Sequence, residues 1–350
     1  MNKILKEIIE ITGQLIKYKT IKENYNDFYL ATKYIKKIIN KDYIVTEKRV
    51  NEYPNLIISN TEDKNLDIIF CGHLDVVPND TYQMIETDDK LLGRGTFDMK
   101  GQLATMITLL NNNKTDKKIA LIITCDEEIG GFCCKEIMKE YKAKLAVIPD
   151  AGKNFELISE EKGLLQIAIT TPGLKAHASE PFKGDNAILK SIDIYDELIE
   201  LYPLPEDEKD FRTSINLSKI EGGNTTNAVA DSSTMTLDIR FTTEDTIESI
   251  LNNIKKISPE SKIEILDQGP TFYVDTQNEF ISSFLEKGKE TLGHDIKISK
   301  CLATSDAIYF SAKNIPTILI NPIGDYWHNK NEYVIKESLY TLYLLFKNLL

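Results

Sequence analysis

The sequence predicts an α/β protein in which a mostly parallel sheet is flanked by helices and interrupted by an inserted βαββαβ unit. Three observations carry this prediction. Short apolar runs alternate with helical stretches as far as Ile148, the alternation gives way after Gly163 to strand, helix, strand, strand, helix, strand, and it resumes from Asp275 to the C-terminus. Alternating β and α segments imply a parallel sheet covered by helices. The middle order is that of a ferredoxin-like split unit.

The elements follow in chain order. MNKILKEIIEITGQLIKY reads as an amphipathic helix, and Leu56–Ser59 and Asp67–Cys71 read as strands. The glycine-rich turn Gly93–Gly101 opens a helix that continues through Leu103–Asn111. Lys118–Cys125 is predicted to be a buried strand, Gly131–Tyr141 a helix and Leu145–Ile148 a further strand. The inserted unit comprises strand Leu164–Thr171, helix Asp185–Leu201, strands Thr213–Ile220 and Met235–Thr242, helix Glu244–Ile257 and strand Lys262–Leu266. Helices Phe280–Leu292 and Asp306–Ala312, strand Thr317–Ile320 and helix Ile335–Leu349 complete the chain. The predicted domains are therefore 1–162 with 270–350, and 163–269 between them. The inserted domain of about 100 residues is large enough to be compact by itself. Tyr202–Asp210 (YPLPEDEKD) reads as a polar surface loop.

Composition narrows the function. The 350 residues carry a formal charge of −12, with 42% hydrophobic and 27% charged side chains. That length suffices for a full core. The negative balance argues against nucleic acid and anionic membrane as partners, although a local cationic pocket can still hold a small substrate. No apolar run reaches the roughly 18 residues of a membrane span, and the N-terminus does not have the pattern of a signal peptide. Cys71, Cys125, Cys133, Cys134 and Cys301 are odd in number and contain no CxxC pair, which predicts reduced thiols and a cytoplasmic protein. Adjacent Cys133 and Cys134 chelate a metal poorly.

The informative residues are the scarce histidines, four in all, and the carboxylates near them. His73 and Asp75 follow the strand IIFCG, Glu127 and Glu128 follow IALIITC, Asp150 follows LAVIP, and His328 follows TILINP and its turn. Turns at the carboxyl ends of strands converge in α/β sheets. Asp98 lies in a glycine-flanked turn, where its two oxygens can bridge two metals. Asp75 is two residues from His73, so in extended chain both side chains face one way and the carboxylate can orient the imidazole. Of the adjacent glutamates, one can ligate while the other serves as a base. Imidazoles and carboxylates together suit two zinc ions, with cobalt or manganese as replacements. His294, in TLGHDIK, has no such context.

On the motifs GHLDVVP, GRGTFDMKG, DEEIGG, GLKAHASEP, GGNTTNAV, TSDAIYF and HNKNE, the whole chain resembles the di-zinc family of acetylornithine deacetylase, succinyl-diaminopimelate desuccinylase, aminoacylase, carboxypeptidase G and several dipeptidases. The resemblance implies a zinc-peptidase-like catalytic domain with an inserted lid that forms a homodimer. It implies His73 and Asp150 on one zinc, Glu128 and His328 on the other, and Asp98 bridging, with a cis peptide after Asp98. Glu127 would be the general base and Asp75 the partner of His73. His177 resembles a histidine that reaches a neighbouring subunit's site to stabilise an oxyanion, and Asn227 lies in the matching loop. Arg240 resembles an arginine that pairs with a substrate carboxylate; a surface strand arginine is the plainer alternative. Thr304, Ser305 and Asp306 would line the pocket or cap the following helix.

The implied reaction is hydrolysis of an amide in a small N-acyl amino acid, with a dipeptidase or carboxypeptidase as the alternative and an inactive ligand-binding relative as a remote one. Pro149-Asp150 stands where desuccinylases usually carry Glu-Pro, and Leu302-Ala303 stands where they carry two glycines. Both departures, with a dipeptidase-like SEEKG segment, leave the substrate open.

Overall fold

The computed structural model describes residues 2–207 and 209–350. Met1, at the head of the N-terminal amphipathic run, and Glu208, in the Tyr202–Asp210 loop, lie outside the described residues. The chain divides into two compact units. One runs to Glu160 and resumes as Val274–Cys301 and Ser305–Leu350, and the other is Glu161–Tyr273 with Leu302–Thr304.

The first unit is built on a six-stranded sheet in the order Ile44–Val50, Tyr53–Ser59, Ile119–Thr124, Asn65–His73, Lys142–Ile148, Thr317–Leu319. The last four strands are mutually parallel, and the first two form an antiparallel edge. Ile119–Thr124 is buried along its whole length, as its continuous apolar run requires for a strand covered on both faces. Helix Lys3–Ile16 is capped by the Asn2 side chain, which accepts from Ile4 N at 2.9 Å, and it buries Leu5, Ile8, Ile9, Leu15 and Ile16. Helix Lys100–Asn112 is buried from Lys100 to Leu110. Helix Lys336–Lys347 buries Leu339, Leu342, Leu345 and Phe346.

Helix Tyr25–Ile38 and strand Ile44–Val50 went unread in the sequence for a physical reason. The helix buries only Phe28, Ala31, Thr32 and Ile35, and the strand is an edge whose TEKR face stays largely in solvent, so neither presents an apolar run.

A small antiparallel sheet joins distant parts of the chain, in the order Gly324–Asp325, Tyr333–Ile335, Lys90–Leu92, Ile85–Glu86. The loops after Lys90–Leu92 and after Gly324–Asp325 carry Asp98 and His328. Asp98 and His328 are thus delivered by this small sheet, not by strand ends of the main one. The expected route to His328, through TILINP and its turn, omits this sheet, because two- and three-residue strands give no periodic signal.

The second unit contains a four-stranded antiparallel sheet, in the order Ser214–Gly222, Ser232–Phe241, Gly163–Pro172, Lys262–Gly269. Helices Ala187–Leu201 and Ile247–Ile257 complete the βαββαβ sequence of elements. Gly163–Pro172 and Ser232–Phe241 alternate between buried residues and half-buried or exposed ones, the pattern of a sheet with one face on a core. That core gathers Leu165, Ile167, Ile169, Ile194, Leu198, Ile250 and Ile254. Thr246 and Ser249 form a reciprocal capping box at the second helix. No helix among the described residues is long and apolar enough to cross a membrane.

Candidate metal centre

His73 ends strand Asn65–His73, and Glu127 and Glu128 form a single 3-10 turn just past the neighbouring strand Ile119–Thr124. Asp150 follows strand Lys142–Ile148. Since these three strands are adjacent and parallel, their carboxyl ends place His73, the glutamate pair and Asp150 together. The Glu127–Ile129 turn is closed by Gly130 (φ 118°) and Gly131 (φ 65°), conformations that only glycine adopts without cost. His328 itself has φ 61°, in a turn held by the Asn329 N–H donating to Tyr326 O at 2.9 Å.

The side chains meet around Asp98. His73 Nε2 lies 3.1 Å from Asp98 Oδ1 and 3.3 Å from Asp150 Oδ1, whereas His328 Nε2 lies 3.1 Å from Asp98 Oδ2 and 2.9 Å from Glu128 Oε2. Each Asp98 oxygen therefore faces a different imidazole. One donor atom each from His73, Glu127 and Asp150 falls within a 4.8 Å cluster, as does one each from His73, Asp98 and Glu128. The peptide Asp98–Met99 is cis.

Asp75 is placed differently from the simple expectation. His73 Nδ1 makes its shorter contact, 3.0 Å, with the Asp75 backbone carbonyl, and the Asp75 carboxylate stands 3.5 Å away. That carboxylate accepts from the backbone N–H groups of Glu127 at 3.2 Å and Glu128 at 2.9 Å. Asp75 thus holds both the imidazole and the turn that carries the glutamate pair.

Charge is crowded here. Desolvation, with Asp150 nearby, pushes Glu127 well above the ordinary carboxylate range, and desolvation also raises Glu128 and pushes Asp150 up to about 6. Burial acts the same way on Asp98, but hydrogen bonds from His328 and His73 outweigh it and hold that carboxyl low. Asp98 and Glu128 raise His328 to about 10. Glu128 Oε1 is buried without a hydrogen-bond partner. An orphaned buried acceptor, crowded carboxylates and two imidazoles are the donor chemistry that divalent cations satisfy, so the residues fit a dinuclear metal centre.

Two residues were passed over in the sequence although both sit inside quoted motifs. Arg94 of GRGTFDMKG and Glu332 of HNKNE are buried and paired at 2.7 Å. Their type was visible, but nothing in a linear motif signals a partner in another one.

The remaining predicted residues make the following contacts. His177 is exposed, with Nδ1 2.7 Å from Ser179 Oγ, and its segment pairs with that of Asn227 through the Ala178 N–H donating to Asn227 O at 3.0 Å. Arg240 is half-buried and its guanidinium is already engaged by Asp238, at 2.8 and 3.3 Å. Thr304 donates its hydroxyl to Lys162 O at 2.9 Å. Ser305 Oγ accepts from Ala307 N at 3.3 Å, while Asp306 makes no side-chain cap and instead accepts from the Thr124 hydroxyl at 3.0 Å. His294 is exposed. None of the five cysteines forms a disulfide, and burial pushes the Cys125 and Cys134 thiols well above their ordinary range.

Residues 69–350 match Peptidase family M20/M25/M40. The chain belongs to this family. It is a metal-dependent hydrolase of the amidohydrolase and peptidase kind. It is 28% identical over 382 residues to succinyl-diaminopimelate desuccinylase from Rickettsia canadensis, covering 98% of this chain and 98% of that one. Near-end-to-end similarity to several such desuccinylases supports a deacylase-like hydrolase. Aminopeptidase PepT from Bacillus cereus shares the fold with a TM-score of 0.79 at 22% identity, covering 98% of this chain and 97% of that one. A Bacillus subtilis protein described as a dinuclear metal binding peptidase from the M20 family has a TM-score of 0.71 at 13% identity, covering 99% and 97%.

Proposed function

We propose that this family member hydrolyses the amide bond of a small N-acyl amino acid, with zinc as the resident metal. The observation that carries this reading is the Asp98 carboxylate, whose two oxygens face His73 and His328 separately, with Glu127 beside them. His73 and Asp150 would hold one ion, Glu128 and His328 the other, and Asp98 would serve both. Bound there, the ions supply Lewis acidity toward the acyl oxygen and lower the pKa of the attacking water.

The chain's residues do the rest. Glu127 takes the proton of the attacking water and passes it to the leaving amine. Its raised proton affinity suits a group that must take a proton and later return it. Asp75 fixes the His73 ring and the Glu127 backbone at once. His177 of a partner chain donates to the developing oxyanion, and Asn227, adjacent to it through the Ala178 hydrogen bond, lines the same contact. Arg240 receives the substrate carboxylate and Thr304 borders it. Asp238 holds the Arg240 guanidinium in place for that role. A homodimer follows from the trans role of His177, and cysteines outside any disulfide suit a cytoplasmic setting.

A dipeptidase or carboxypeptidase is the competing reading, supported by Pro149-Asp150 where desuccinylases usually carry Glu-Pro and by the SEEKG segment. Assay of the zinc- or cobalt-loaded protein on acetyl-ornithine, acetyl-lysine, succinyl-diaminopimelate and simple dipeptides separates the two. Turnover confined to dipeptides overturns the deacylase assignment. His177→Ala should lower turnover without changing metal content, and an active protein that stays monomeric in solution defeats the trans contact.

A further inference from the structure

Asp98 meets both imidazoles with its loop held against the loop of His328, and one buried carboxylate supplies several of the hydrogen bonds that join them. Glu332 has no exposed surface. Its Oε1 accepts from the backbone N–H of Phe97 at 2.9 Å and of Asp98 at 3.1 Å, and its Oε2 accepts from Arg94 Nη1 at 2.7 Å. Its backbone carbonyl accepts from Gly93 N at 2.9 Å. Every polar atom of the residue that faces this loop is committed to residues 93–98. The Glu332 N–H donates to Asn329 O at 3.2 Å, so the same residue closes the turn that directly follows His328.

Neighbouring geometry limits how this connection can relax. Tyr333 pairs with Leu92 immediately beyond the loop, and a Cβ on Gly324 would stand 2.2 Å from the Phe97 ring. The Phe97 ring therefore packs directly on the Gly324 backbone, in space no side chain could share. His73 and Asp150 depend on none of this, because they stand at the ends of main-sheet strands that pair with each other.

We propose that Glu332, clamped by Arg94, is a positioning residue that sets Asp98 against His328 and thereby establishes the affinity of the ion held by Glu128 and His328. The inference rests on the dinuclear reading given above. Asp98 Oδ2 and His328 Nε2 come from two segments whose mutual position is set through Glu332, whereas Asp98 Oδ1 meets a histidine fixed by the sheet. Loss of the clamp therefore acts unequally on the two ions. Groups that support metal ligands in this way typically contribute about 10- to 100-fold in metal affinity.

The test is cobalt or zinc titration of the metal-stripped full-length protein, following ion stoichiometry by elemental analysis and the cobalt spectrum. In Glu332→Gln, which keeps the shape of the side chain and removes its charge, the second ion should bind at least about 10-fold more weakly, and the first, which keeps His73 and Asp150, should be weakened distinctly less. Equal weakening of both ions, or none, overturns the proposal. Should that variant fail to fold, Arg94→Lys provides the same reading. It keeps the buried charge balance but gives up the guanidinium contact, and it should weaken the second ion in the same sense. An unchanged second ion in Arg94→Lys overturns the proposal. A wild-type chain that takes up fewer than two ions overturns the dinuclear reading itself, and a two-ion wild type with unaltered variants overturns only the clamp.

Discussion

Glu127 and Glu128 are adjacent, yet their surroundings separate them. Glu128 points at His328 and is held at 2.9 Å, while Glu127 sits with the His73 and Asp150 donors. Asp75 anchors the backbone of both, so the carboxylates cannot exchange places by a slip of the turn. Glu127→Gln is accordingly expected to keep its full metal complement and lose about 10²-fold or more in kcat, as removal of a general base does. Turnover within a few-fold of wild type, measured on metal-replete protein, rules Glu127 out as the base. The same environment raises its proton affinity, because desolvation and the Asp150 charge both disfavour its ionised form.

At the scale of elements, the glycine turn after Glu128 makes a stringent demand. Gly131 has φ 65°, and a Cβ there would meet Asp306 Oδ1 at 2.4 Å and the Tyr309 ring at 2.9 Å. Gly131→Ala should cost about 1–2 kcal/mol for the left-handed backbone alone, with the contact adding to it. Denaturant unfolding that shows no loss would mean the turn has another conformation available. Farther from the site, Lys48 and Lys64 both pair with Glu140, joining strand Ile44–Val50 to the end of helix Phe132–Met138. These hydrogen bonds lower the Glu140 carboxyl to about 2. A carboxylate with a depressed folded-state pKa contributes stability above its unfolded value, near 4.3, and loses that contribution as pH falls through about 2. Since Glu140 is 43% exposed, solvent screening keeps the effect below about 1 kcal/mol. Glu140→Gln should therefore be slightly less stable than wild type at pH 7, and the gap should close between about pH 4.5 and 2 in parallel thermal melts. A gap that widens with acidification contradicts the assignment.

For the molecule as a whole, ions that bind only the folded chain stabilise it by mass action, about 2.7 kcal/mol at a free concentration 100 times Kd. Chelation should lower Tm and abolish activity together, and added zinc or cobalt should restore both. Activity that survives complete removal, checked by elemental analysis, refutes the metal-centre reading.

The α/β class, the inserted βαββαβ unit and the residues His73, Asp98, Glu127, Glu128, Asp150 and His328 were all legible in the sequence. For His73, Glu127, Glu128 and Asp150 the signal is local, an apolar run ending in a polar turn that marks a strand end, where such sheets present chemistry; Asp98 and His328 were marked by their motifs, and the small sheet delivers them. Tertiary structure alone decided the rest. It divided the two Asp98 oxygens between His73 and His328, turned the Asp75 carboxylate toward the glutamate turn, and paired Arg240 with Asp238. It also brought Glu332 to the Phe97 and Asp98 amides across 235 and 234 positions of the chain. A carboxylate has two oxygens and no inherent direction. Which groups it serves is set by the closure of distant segments on one another, and no local pattern of residues encodes that.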